Sequence, residues 1–140
     1  MPLQRNYRFV CQNQLLNTIQ ANQLTLSARR WKFNTSGAIE FESSETLLHN
    51  QIAPLANNAF VATTGIDNSA SGFLGGAFEI YCTPTGAGTS GILLCFYETS
   101  TDGGTTFDSD SDLSIGDNGR LVAIATIDTI GTGVKSFRIS

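Results

Sequence analysis

From Leu24 onward, apolar and polar positions alternate with period two. Leu24, Leu26 and Ala28 alternate with Thr25 and Ser27, the pattern of a strand with one buried face. The parity then changes, so that Trp31 and Phe33 alternate with Arg30 and Lys32, and a β-bulge near Arg29 would account for the change. Ile39 and Phe41 face one way while Glu40 and Glu42 face the other. Residues 43–58 are weakly patterned, contain Pro54 and several Asn, and predict a loop with room for one helical turn over 45–49.

The second half of the chain is more sharply patterned. Residues 60–63 form a short apolar run and 67–72 a turn. Phe78, Ile80 and Cys82 alternate with Glu79 and Tyr81, and a Gly-rich stretch then leads to Ile92. Residues 92–99 are apolar on both faces, as in a strand covered on both sides. Residues 121–127 have the same character, and Lys135, Phe137 and Ile139 alternate with Ser136 and Arg138 in a last half-exposed strand. Seven or eight short strands with Gly-rich turns predict an all-β fold, an antiparallel β-sandwich or jelly roll spanning 24–140.

Residues 1–23 differ in kind. They are rich in Gln and Asn and contain no Gly. Cys11, Leu15, Leu16 and Ile19 fit one face of a short helix, whereas Tyr7 and Phe9 alternate as in an extended arm. Either reading makes this segment an N-terminal arm preceding the sandwich.

At 140 residues the chain is long enough for one domain with a real core. An apolar fraction of 41% excludes a disordered chain. Charged residues make up only 14%, which suggests that some surface is covered by other chains. A net charge of −4 argues against nucleic acid and anionic membrane as partners. Arg5, Arg8, Arg29, Arg30 and Lys32 nevertheless make the N-terminal end basic against an acidic remainder, so the two ends of neighbouring copies could attract. No apolar run reaches transmembrane length, and no signal peptide is read after Met1.

Three cysteines leave at least one unpaired. A hairpin centred on Gly86 and Gly88 would set Cys82 opposite Ile92 and Cys95 opposite Glu79, which does not bring the two cysteines together. Free, buried thiols made in a reducing cytoplasm are expected.

Candidate chemistry is sparse. Gly86, Gly88 and Gly91 match a G-x-G-x-x-G string, but the mechanism needs a helix to begin there, and Ile92-Leu93-Leu94-Cys95-Phe96-Tyr97 is β-prone. Asp108, Asp110 and Asp112 have the alternate spacing of a calcium loop, yet Leu113 stands where Gly is needed and Gly119 where Glu is needed. They are a weak cation candidate against a solvated acidic loop. His49 is the only histidine, and no Gly-x-Ser-x-Gly elbow accompanies it, so the chain is read as not an enzyme and as needing no cofactor. Asn34-Thr35-Ser36 is a coincidental glycosylation sequon.

Ser100-Thr101-Asp102-Gly103-Gly104-Thr105-Thr106-Phe107 is similar to the Asp-box of sialidases, a hairpin fold-back that repeats in those chains, but it occurs once here, with Phe107 in place of Trp. Its physical content is a turn whose Asp caps the backbone and whose glycines take positive φ.

The order of elements over 58–110 carries a wider resemblance. Phe60-Val61-Ala62-Thr63-Thr64 precedes Ile66-Asp67-Asn68-Ser69, then Phe78-Glu79-Ile80-Tyr81, a Gly-rich connection, and an apolar strand running into Glu98-Thr99-Ser100-Thr101-Asp102-Gly103-Gly104. This middle third resembles small virion proteins of tailed bacteriophages. The resemblance implies a capsid decoration (cement) protein, or a tail, neck or fibre component, located in the virion and made in the host cytoplasm. It further implies the major capsid protein as partner and self-association, with a trimer as one closed form. The arm, through Tyr7, Phe9, Leu15, Leu16 and Ile19, is the expected docking element. Trp31 and Phe33 are either interface anchors or, by default, core. A carbohydrate-binding sandwich is the alternative, with Trp31, Tyr7, Tyr81 and Tyr97 as its available rings.

Overall fold

A computed structural model describes residues 3–83, 91–107, 120–127 and 133–139. Its strands in chain order are β1 (Asn6–Gln14), β2 (Leu24–Phe33), β3 (Ile39–Phe41), β4 (Thr46–Asn50) and β5 (Phe60–Ala62), followed by β6 (Ile66–Asp67), β7 (Gly75–Cys82), β8 (Gly91–Thr99), β9 (Arg120–Ile127) and β10 (Gly133–Ile139). They form two antiparallel sheets packed on each other. One runs β5-β1-β8-β9, with β6 also on β1; the other runs β10-β7-β2-β3, with β4 also on β2. The all-β sandwich expected from the alternation is present, and no helix occurs among the described residues.

The N-terminal segment is extended over 6–14, as the Tyr7 and Phe9 alternation suggests, and it is neither a helix nor an arm outside the sandwich. Residues 6–14 are an inner strand of the first sheet, paired to β5 and β6 on one edge and to β8 on the other. Tyr7, Phe9 and Cys11 point into the core, where the Phe9 ring lies 5.0 Å from Phe78 of the opposite sheet and 5.6 Å from Tyr97. Outward-facing polar residues on an inner strand are costly unless bonded. Here Arg8 Nε donates to Glu98 at 2.7 Å, and Gln12 accepts from Gln14 at 2.9 Å.

The next turn is held by a buried amide. Asn13 Nδ2 donates to the carbonyls of Asn17 (2.7 Å) and Leu55 (2.9 Å), and its Oδ1 accepts from Leu15 N–H (2.9 Å). This fixes Leu15 and Ile19 in the core, with Ile19 bridged to Leu55. The Asn and Gln that suggest a polar arm are the groups that satisfy its backbone.

Three further expectations change. Residues 77–82 and 92–99 are not a hairpin: β7 and β8 belong to different sheets, Cys82 lies opposite Leu24 and Gly133, and Cys95 lies opposite Cys11 and Ala123. A Gly-rich connection of this length can cross between sheets as readily as it can turn within one. No bulge occurs at Arg29, because β2 pairs with β7 without a break from Leu24↔Cys82 to Trp31↔Gly75. Arg30 therefore faces inward and Trp31 and Phe33 face outward. The irregularity lies on the β4 side, where Leu26↔His49 is followed by Ser27↔Leu47. Residues 46–50 are this edge strand rather than a helical turn.

β8 is covered on both faces as expected, its outer Leu94 and Phe96 packing with Val10. β9 is not: Ala123 and Ala125 are buried while Leu121 and Ile124 are nearly half exposed. Gly91 opens β8 at φ 147°, and a Cβ there would come within 2.5 Å of the Gln14 carbonyl oxygen. Only glycine lets β8 start this close to the end of β1.

Phe9→Ala should lower unfolding free energy by about 3–5 kcal/mol in urea denaturation. Removing residues 1–14 should abolish the cooperative transition, since β8 then loses a neighbour along its whole length. Gly91→Ala should destabilise by more than the roughly 1 kcal/mol typical of a point substitution, measured the same way.

Candidate functional site: an exposed aromatic hairpin

The most unusual surface is the outer face of the β2–β3 hairpin. Its turn is set by Asn34, whose Oδ1 accepts from Ser36 N–H (3.0 Å), Ser36 Oγ (2.7 Å) and Ala38 N–H (3.0 Å), with Gly37 at φ 83°. The sequon residues thus have a structural task. Across the hairpin Trp31 pairs with Phe41 and Phe33 with Ile39, so all four side chains share one face. Phe33, Ile39 and Phe41 are 53%, 56% and 54% exposed, and Trp31 is partly covered. Trp31 and Phe33 meet edge to face at 5.8 Å, and the Arg29 guanidinium lies 5.9 Å from the Phe41 ring. Exposed Leu47, opposite Ser27, extends the stripe. The stripe exposes roughly 400 Å² of apolar surface, the size of a monomer's largest and often functional patch.

The reverse face of the hairpin is closed at its base, around Arg30 and Glu42, while Glu40 further out is exposed. Arg30 Nη2 binds Glu42 at 2.6 Å, Arg30 Nη1 reaches the Tyr7 hydroxyl at 3.5 Å, and the guanidinium lies 4.6 Å from the Phe73 ring. Burial raises the Tyr7 hydroxyl pKa. Burial also pushes the Glu42 carboxyl upward, but hydrogen bonds from Arg30 and Thr46 outweigh it and hold the carboxyl below its usual range. The hairpin is therefore pinned on its inner side and left apolar on its outer side.

An open cleft of about 310 Å³ adjoins the stripe, lined by Arg29, Ser43, Ser44, Glu45, Ala77, Phe78 and Glu79. Its Glu45 is bonded to the Ser27 hydroxyl. His49 Nε2 is engaged with Gln51 Oε1 at 3.0 Å, away from these acids. Among the described residues no group of three His, Cys, Asp or Glu is placed to hold a metal, and no helix is long and apolar enough to cross a membrane.

The fold-back after β8 behaves as its sequence predicts. Asp102 accepts from Ser100 Oγ (2.6 Å), Thr106 Oγ1 (2.6 Å) and the N–H groups of Thr105 (3.1 Å) and Thr106 (2.9 Å). Gly103 and Gly104 take φ of 78° and 89°. Bonds from Ser100 and then Thr106 hold the Asp102 carboxyl well below the ordinary range. Phe107 seats the turn under Arg8, whose guanidinium carbon is 4.4 Å from the ring.

The residues expected to dock are redistributed. Tyr7, Phe9, Leu15 and Ile19 are core, leaving Leu16, at 80% exposure, as the one of that group on the surface. Trp31 lies in the stripe. Asp108, Asp110, Asp112, Gly86 and Gly88 lie outside the described residues. The carbohydrate reading loses Tyr7 and Tyr97 to the core, and the Trp31–Phe33 contact, at an interplanar angle of 77°, does not make a flat platform. Sequence alternation alone did not single out Ile39 and Phe41 as surface groups, because the same pattern describes a buried face. In comparisons with known proteins, no protein-family model, curated protein or solved structure matches this chain.

The Arg30–Glu42 pair sets a pH dependence. As pH falls, the unfolded chain takes up the Glu42 proton before the folded chain does. The stabilisation is therefore intact above the ordinary carboxylate range and lost as pH drops through the lower folded-state value. Urea midpoints at about pH 7 and about pH 3 should differ less for Glu42→Gln than for the wild type.

Proposed function

We propose that the chain is a non-enzymatic structural protein of a tailed-bacteriophage virion, a capsid decoration (cement) protein, and that it docks through the outer face of the β2–β3 hairpin. The observation that carries this reading is the contiguous stripe of Trp31, Phe33, Ile39 and Phe41 on a braced hairpin. Aromatic groups held rigidly before binding lose little entropy on docking and dominate interface energies.

The sequence resemblance to small virion proteins supports the particle assignment, with the major capsid protein and neighbouring copies as partners. The absence of catalysis in this proposal is supported by the engagement of the candidate groups. Glu42 and Glu98 are bonded to arginines, Asp102 to its turn, and His49 to Gln51. A tail, neck or fibre position would use the same face at lower copy number.

The Phe33→Ser/Phe41→Ser double variant should keep its thermal midpoint within a few degrees and lose at least about tenfold in affinity for particles and for its own copies. Analytical ultracentrifugation and co-sedimentation with virions read the two effects. Unchanged association would remove the hairpin from the interface. Copy number per purified virion comparable to the shell protein supports decoration, and a handful of copies supports tail or neck.

A further inference from the structure

Cys11 and Cys95 lie directly opposite one another in the middle of the β1–β8 ladder, which runs unbroken from Tyr7↔Thr99 to Gln14↔Ile92. The alternation of backbone hydrogen bonds identifies what kind of pair they are. Phe9 and Asn13 aim their carbonyls away from β8: Phe9 O accepts from Thr63 N–H (2.8 Å) and Asn13 O from Asn58 N–H (2.7 Å). Asn6 aims its carbonyl the other way, to Ser100 N–H just beyond β8 (3.0 Å). Cys11 has the parity of Phe9 and Asn13, so Cys11 and Cys95 are a non-hydrogen-bonded pair. Such pairs bring their Cα atoms to about 4.5 Å, with the side chains at their closest. A disulfide needs Cα atoms about 4.4–6.8 Å apart.

Both thiols point into the core, at 2% and 0% exposure. Cys82 is on β7 of the opposite sheet, where it lies opposite Leu24 and Gly133. The ladder registers set Cys11 and Cys95 face to face and give Cys82 no cysteine partner.

We propose that Cys11 and Cys95 are a site of covalent modification: a cross-strand disulfide that forms when the chain meets a small-molecule disulfide such as oxidised glutathione, with Cys82 remaining a thiol. The Cys11 thiolate attacks one glutathione sulfur, forming a mixed disulfide and releasing one glutathione thiolate. The deprotonated Cys95 then attacks the Cys11 sulfur and releases the second glutathione. Two protein thiols are oxidised, one glutathione disulfide is reduced to two thiols, and the two protons pass to solvent or to the released thiolates.

Burial makes the closed sandwich resistant. The adjacent Cys11 side chain, and then burial, hold the Cys95 thiol well above its usual range, and burial pushes Cys82 up to about 12. Exchange should therefore proceed while β1 is undocked, during folding or transient opening. The bond then locks the strand on which the core depends.

The test uses the full chain, incubated with a glutathione redox buffer in urea near its unfolding midpoint and then returned to buffer. Free thiols are alkylated under denaturing conditions, and chymotryptic peptides are mapped without reduction. Cleavage at Leu93 and Leu94 separates Cys82 from Cys95. The expected result is a Cys11–Cys95 linked peptide, a whole-chain mass lower by two hydrogens, an alkylated Cys82 and a thermal midpoint raised by roughly 10 °C. Cys82→Ser should keep the linkage and Cys95→Ser should lose it. Three alkylated thiols, a Cys11–Cys82 linkage, or glutathione adducts alone would each overturn the proposal. The wild-type chain carries the decision, so a variant that fails to fold does not weaken it.

Discussion

Phe9 sits between the sheets with Phe78 on one side and Tyr97 beside it, and Tyr7 packs edge-on at 5.9 Å. Removing these rings from water is the constraint that organises the sandwich. Each fully buried large side chain contributes about 1.5–3 kcal/mol, and two of these rings, Tyr7 and Phe9, belong to one strand, β1, which also supplies the ladder for β5, β6 and β8. The rest of the first sheet takes its register from that strand.

Polar groups around this core act as register devices more than as sources of stability. Arg8 and Glu98 are direct cross-strand partners, and the Glu98 side chain is almost fully buried. Desolvating such a pair offsets much of its attraction. A slip of β1 by one residue would separate the pair and put Arg8 on the core face, which is far more costly. Asn13 plays the same part at the end of the strand, and Arg30 at the start of the β2–β3 extension, where it ties Glu42, Tyr7 and Phe73 together.

The outer surface shows the reverse economy. A hairpin braced from below has no internal use for Phe33, Ile39 and Phe41, which add exposed apolar area without adding core. That separation between a satisfied inner face and an unsatisfied outer one is what supports an assembly role. The cysteine pair adds to this picture a means of fixing β1 covalently without changing the ladder, because the register already sets the two residues face to face.

Period-two alternation and Gly-rich turns were enough to determine an all-β chain, the positions of β2, β7, β8, β9 and β10, the double covering of β8, and the Asp102 turn, since each depends on local pattern or local hydrogen bonding. Strand partners were not legible. A one-dimensional pattern says which face of a strand is apolar but not which strand lies beside it, so β1 read as an arm and β7–β8 as a hairpin. Nor could alternation tell whether Trp31, Phe33, Ile39 and Phe41 faced a core or solvent. Only the tertiary structure decided these points, because long-range pairing and the side of the sheet that meets the opposite sheet are set by burial of the whole core at once.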